Sequence, residues 1–254
     1  DVLLNYFLVS SQQQTINFLI LMSKNLIISE QATSFYNFSK IIINFLIINA
    51  NKIQKDCITN IIQLIELLLT QNIKSTKIHI YISKFLSNIL KHLPCQRSLI
   101  DMFLQNITCE SISIRCMFTA LLYFQFICDY KQNKSVVLSS IDTLESITYI
   151  LLDIPVDKIS LYQQFIDVVI ELSNKNNDKN FVKHVKERID QANNIVSIIL
   201  KQKTTSNPPE ISCKMAMDIA DQYKQLPTMR IKWLQECLRI NQENNDFISA
   251  AITQ

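Results

Sequence analysis

Glycine does not occur anywhere in this 254-residue chain, and no other single feature restricts its fold so severely. Average usage is about 7%. Backbone conformations with positive φ carry a Cβ penalty in every other residue. Two-residue hairpin turns therefore lose their preferred residue, which argues against an all-β fold. The same absence removes phosphate-cradling loops, dinucleotide-binding turns and the serine-hydrolase elbow in their usual forms. Ile, Asn and Lys are abundant while Ala and Pro are scarce, a pattern we read as base-composition bias.

What remains is helix. Apolar residues recur at helical spacing, predicting helices near 2–9, 13–28, 33–49, 53–71, 75–92, 97–108, 111–130, 135–152, 157–173 and 179–201. Three more follow towards the C-terminus. Ser34, Ser111, Ser135, Asp157 and Asp178 stand where helices should start. Leu93-Pro94 and Ile154-Pro155 stand where they should stop. The best strand candidate is the apolar run 40–48, yet Ile42, Phe45, Leu46 and Asn49 also fit a helix. Helices of 15 to 20 residues with short polar breaks predict an all-α array of antiparallel pairs, of the armadillo or HEAT helical-repeat kind. No consensus repeat at a fixed period accompanies it.

Composition narrows the chemistry. The chain is 48% apolar and 19% charged, with a net charge of +3. That charge is too small and too dispersed to suggest a nucleic-acid partner. The segment Lys179, Lys183, His184, Lys186 and Arg188 is interleaved with acids and reads as a solvated face. Seven Cys include no CxxC pair and read as small hydrophobes in a reducing, cytoplasmic setting. His92 and Cys95 give one His and one Cys close together, but a structural zinc site needs four ligands, usually as two close pairs, and no second pair stands at a plausible spacing. No cofactor, metal or catalytic residue is expected. Residues 2–23 are interrupted by Asn5, Gln12 and Asn17, and 41–48 is too short to cross a bilayer, so no transmembrane segment is expected. The chain starts at Asp1 without Met and ends inside a helix, and it reads as a piece of a longer protein.

The stretch 208–254 is the most punctuated. Ile211, Met215, Ile219 and Tyr223 form one apolar stripe with Ala216 and Ala220. Leu226-Pro227 breaks it. Met229, Arg230, Trp233 and Leu234 open a second helix that continues through Cys237, and Asn245-Asp246 is placed to cap a third at Phe247, followed by Ala250 and Ala251. The segment 201–209, KQKTTSNPP, reads as an exposed linker.

This order of Ile219, Ala220 and Tyr223, a break, Met229, Arg230, Trp233 and Leu234, a polar stretch, then Asn245, Phe247, Ala250 and Ala251 resembles the opening of the DOCKER domain. That is the catalytic region of the dedicator-of-cytokinesis (DOCK) guanine nucleotide exchange factors. The chain departs from the family at Gln222, Thr228 and Ser249, where a Gly, an acid and a Glu are usual. The resemblance covers roughly the last fifth of the chain. It implies a helical scaffold at 1–201, a linker at 202–209, and the first helices of an exchange domain at 210–254. It also implies a cytoplasmic parent acting on Rho-family small GTPases of the Rac/Cdc42 type. In this part of that domain the resemblance implies a supporting lobe, with the GTPase-binding surface beyond Gln254. Trp233 then anchors the helical array and Arg230 pairs with a neighbouring carboxylate or carbonyl, direct contact with a GTPase being the alternative for both. The rival reading is a helical-repeat protein-interaction scaffold without exchange activity.

Overall fold

The computed structural model describes residues 12–28, 32–49, 57–71, 76–92, 97–204, 208–224 and 226–244. The helix expected at 2–9 and the one opening at Phe247 lie outside them. Among the described residues there are eleven α-helices and no strand. They are α1 (Gln12–Ile28), α2 (Ala32–Asn49), α3 (Ile58–Gln71), α4 (Thr76–His92), α5 (Arg97–Asn106), α6 (Ile112–Asn133), α7 (Val137–Asp153), α8 (Val156–Asn174), α9 (Lys179–Thr204), α10 (Pro209–Gln222) and α11 (Pro227–Glu243). The chain divides into two compact units, 1–139 and 140–254.

In the first unit each helix packs on the one two places along: α1 on α3, α3 on α5, α2 on α4, and α4 on α6. Neighbours also pair, α1 with α2 and α5 with α6. Odd and even helices thus form two layers, the contact pattern of stacked helix pairs. Leu19, Ile43, Leu64, Phe85, Phe103 and Phe118 are all but inaccessible between them. Phe103 and Phe118 tilt against each other with centroids 5.7 Å apart, within the range of favourable aromatic pairs. Ile42 and Leu46 are buried on α2, so the run at 40–48 is a helix whose apolar face supplies the layer. Buried Ser23 and Ser39 donate to the carbonyls of Leu19 and Phe35, both at 2.8 Å, so neither hydroxyl is a cost.

The absence of Gly shows where α6 ends. Lys134 takes the left-handed position after the helix (φ 55°, ψ 22°) and its N–H bonds the Tyr130 carbonyl at 2.8 Å. Glycine is the usual residue there. Nearby, buried Asp129 accepts from the backbone N–H of Ser139 (2.9 Å), the Ser139 hydroxyl (2.7 Å) and the Asn133 amide (2.7 Å). A carboxylate on a first-turn amide of α7 meets the positive end of that helix. By length and composition α6 is the one helix among the described residues that could cross a membrane, and more than half of that stretch is buried.

In the second unit α8 and α9 form a hairpin across the turn 175–178, α9 packs on α10, and α10 on α11. Asp178 caps α9, its Oδ1 accepting from the N–H groups of Asn180 (3.0 Å) and Phe181 (3.1 Å), as its position in the sequence predicts. Other start signals behave differently. Ser111 stands at the N-cap of α6 without a side-chain bond, while Asp157 falls inside the first turn of α8 behind Pro155. Ser135 Oγ accepts from the Val137 N–H. Ser34 lies within α2, which begins two residues earlier. Tyr162 is fully buried in α8, and burial pushes its phenol well above the ordinary range.

Candidate functional site

The residues that carry the family resemblance fall on α10 and α11 and on the turn between them. Pro208 is extended (φ −63°, ψ 157°) and Pro209 is the first residue of α10, a position where proline's missing donor costs nothing. The expected linker is encroached on from both sides: α9 runs on through Gln202, Lys203 and Thr204, and α10 already includes Pro209. Lys203 is engaged as well, its Nζ donating to the carbonyls of Leu152 (2.8 Å) and Ile154 (2.6 Å). A cation on carbonyls at and just past the end of α7 complements the negative end of that helix.

Ile219, Ala220 and Tyr223 are fully buried. Tyr223 is the last of the stripe and ends α10, its N–H bonding the Ala220 carbonyl at 3.1 Å. Its hydroxyl donates to the Leu144 carbonyl on α7 at 2.9 Å and meets the Thr148 hydroxyl, which also donates to Leu144 at 2.8 Å. The turn closes with the Leu226 N–H on the Tyr223 carbonyl at 2.8 Å. Helix α11 opens at Pro227, two residues before the sequence pattern places it, with proline again in the first turn.

On α11, Met229, Trp233, Cys237 and Ile240 are buried and Leu234 is half-buried. Trp233 is 6% exposed. It lines a cavity of about 250 Å³ with Met229 and Lys232 of its own helix and Thr148, Tyr149 and Leu152 of α7. Lys232 lies over the Tyr149 ring, 4.8 Å from its centroid, and donates to the Tyr149 hydroxyl. That hydroxyl in turn points at the Met229 sulfur, 3.8 Å away. Gln202 and Glu236 complete the lining, so the cavity joins an apolar floor to a polar rim that carries both a cation and an acid.

Arg230 reaches back across the turn to Asp221, 3.8 Å from Nη2 to Oδ1, and Lys224 approaches the other carboxylate oxygen at 3.6 Å. Both pairs are about half exposed, where such contacts contribute about 0–1 kcal/mol. Arg239 binds Glu236 and Glu243 on the exposed side of α11, and the hydrogen bonds to Glu236 raise its already high pKa further. Phe247, Ala250 and Ala251, with Asn245, lie outside the described residues.

One feature escaped the sequence reading, which treats every Cys as a small hydrophobe. Cys213 of α10 and Cys237 of α11 are joined as a disulfide, with Cα atoms 4.6 Å apart, inside the range such bonds need. The two are 24 residues apart with no local motif, so only the facing of α10 on α11 reveals them. Among the described residues no three His, Cys, Asp or Glu side chains converge as metal ligands do. The described residues of the site offer packing, one tyrosine anchor and a crosslink. Neither models of known protein families, nor characterised proteins, nor solved structures returned a match to this chain.

Proposed function

We propose that this chain is part of a guanine nucleotide exchange factor for Rho-family small GTPases, supplying scaffold helices and the first helices of the exchange domain. The observation that carries the reading is the run Ile219, Ala220, Tyr223, Arg230, Trp233, Leu234, which resembles the opening of a DOCKER domain. The burial of Trp233 and Tyr223 and the engagement of Arg230 with Asp221 support a supporting role for these residues. A side chain already buried in its own domain has little left to offer a GTPase. In such a factor the domain engages the GTPase and weakens its hold on magnesium and nucleotide, so that GTP replaces GDP. That step would fall to lobes following residue 254.

Release of a fluorescent GDP analogue from Rac-type GTPases tests this. Residues 1–254 alone should leave the release rate unchanged, and a longer parent chain should accelerate it. Acceleration by 1–254 alone would overturn the placement of the chemistry. A longer parent that is inert towards every Rho-family GTPase would overturn the reading itself, in favour of an interaction scaffold.

A further inference from the structure

The net charge of +3 conceals an uneven division. Residues 1–139 hold twelve Lys and Arg against seven Asp and Glu, and residues 140–254 hold thirteen against fifteen. Within the first unit the surplus is gathered on the even layer. Helix α4 has three lysines, Lys77, Lys84 and Lys91, and no acid. They are exposed and spaced by seven, so they run along one line of the helix. Helix electrostatics explains Lys91, near the negative C-terminal end. It does not explain Lys77, which opposes the dipole in the first turn.

Lys84, the middle of that line, borders a cleft of about 470 Å³ between α4 and α6, and Lys77 and Lys91 continue the line beyond either end of it. Its apolar lining comes from Ile80 on α4 and from Met117, Ala120, Leu121 and Phe124 on α6, with Lys84 at its edge. Ile80 is 50% exposed, an apolar side chain left to solvent beside an apolar floor. Ser83 and Ser87, which also line the cleft, donate to carbonyls of their own helix, Ile80 and Lys84, both at 2.9 Å. Their donors are satisfied, so an apolar occupant would strand neither. On α6 the acid is Asp129, buried and taken up by Asn133 and Ser139; Glu110 lies in the connection before that helix. Apolar floor, lysine rim and absent carboxylates together define one complement.

We propose that the α4–α6 cleft docks an amphipathic helix of a protein partner, its apolar face on Met117, Ala120 and Phe124 and its acidic flank along Lys77, Lys84 and Lys91. From Lys77 to Lys91 the rim spans roughly 21 Å, the length of a peptide of about 14–16 residues read through anchors at i, i+3, i+4 and i+7. This interaction is independent of the exchange-factor reading and survives its failure.

The probe is a helical peptide with Leu along one face and Glu on the flanks, against a Leu/Lys peptide of the same pattern, titrated into the 254-residue chain by fluorescence anisotropy. The acidic peptide should bind, weaken as salt rises, and slow alkylation of Cys116, an exposed free thiol that lines the cleft. Lys84→Glu should weaken binding roughly tenfold. Ala120→Trp, which fills an exposed position on the floor, should abolish it, with circular dichroism verifying that both variants fold. Binding of neither peptide, equal binding of both, or indifference to Lys84→Glu in a folded chain would overturn the proposal. So would equal protection of Cys116 by anionic phosphatidylserine vesicles, which would make the cleft a membrane contact. Peptide-sensitive dimers in sedimentation would assign it to a second copy of the chain, and would equally overturn it.

Discussion

Lys134 occupies a backbone well that costs an L-residue about 1–2 kcal/mol, and it does so at the end of a long buried helix. Lys134→Gly should therefore raise stability by about 0.5–1 kcal/mol after the extra freedom of glycine in the unfolded chain is subtracted. Urea titration with an unchanged slope would register it. A destabilised variant would mean that the lysine side chain contributes more than its strain. Asp129 behaves in the opposite sense. Removing its carboxylate in Asp129→Ala takes the acceptor from the buried Ser139 N–H, while the hydroxyl keeps the Val136 carbonyl at 3.3 Å, and should cost about 1–3 kcal/mol. A loss of a few tenths would show that water replaces the carboxylate freely. Neither residue is conspicuous in sequence. The αL position of Lys134 follows from where α6 happens to stop, and Asp129 finds its partners ten residues on, across a turn. Asp178 was legible because a helix N-cap is a local device, complete within three residues.

At the scale of elements, α10 and α11 depend on one aromatic and one crosslink. Trp233→Ala should cost about 3–5 kcal/mol, the usual penalty for truncating a buried aromatic, read as a fall in the melting midpoint. In a longer parent, exchange should fall along with stability and recover partly on cooling. A Trp233→Ala parent of unchanged melting but abolished exchange would make the indole a contact residue. The crosslink closes a separation of 24 residues. In the chain-entropy account, replacing Cys213 and Cys237 by Ala should cost about 3 kcal/mol relative to the oxidised chain. Peptide mapping without reductant should recover 213 and 237 in one linked fragment; two separate free-thiol peptides would count against the bond. The starts of these helices were legible to within about two residues because Pro208, Pro209 and Pro227 act locally through φ and the missing donor, whereas α11 runs on to Glu243, past the end that the sequence pattern suggests. The disulfide was not, because nothing local distinguishes Cys213 or Cys237 from Cys128, a buried free thiol.

For the molecule as a whole, helix was legible because its two signals agree: no glycine for tight turns, and apolar spacing near 3.6 over long stretches. The two layers of the first unit were not legible, since the choice of which helix packs on which is made by faces that sequence spacing describes only one at a time. The expected linker shows the same limit. Composition marks 201–209 as exposed chain, yet Lys201 and Lys203 belong to α9, and trypsin needs several residues of unfolded backbone to cut. Limited digestion should cleave at Lys175 or Lys179, around the exposed turn, before it cleaves at Lys201 or Lys203. The reverse order would show that the end of α9 opens more readily than its hydrogen bonds suggest. Those bonds also decide which positions are free to drift. The groups that Lys203 grips at the end of α7 and just after it are main-chain carbonyls of Leu152 and Ile154, and every amino acid brings a carbonyl. Leu152 is 43% exposed. Residue identity at 152 and 154 can therefore wander without loosening the grip, while position 203 is held to a long cation, so substitution tolerance is divided unequally between the two ends of one contact.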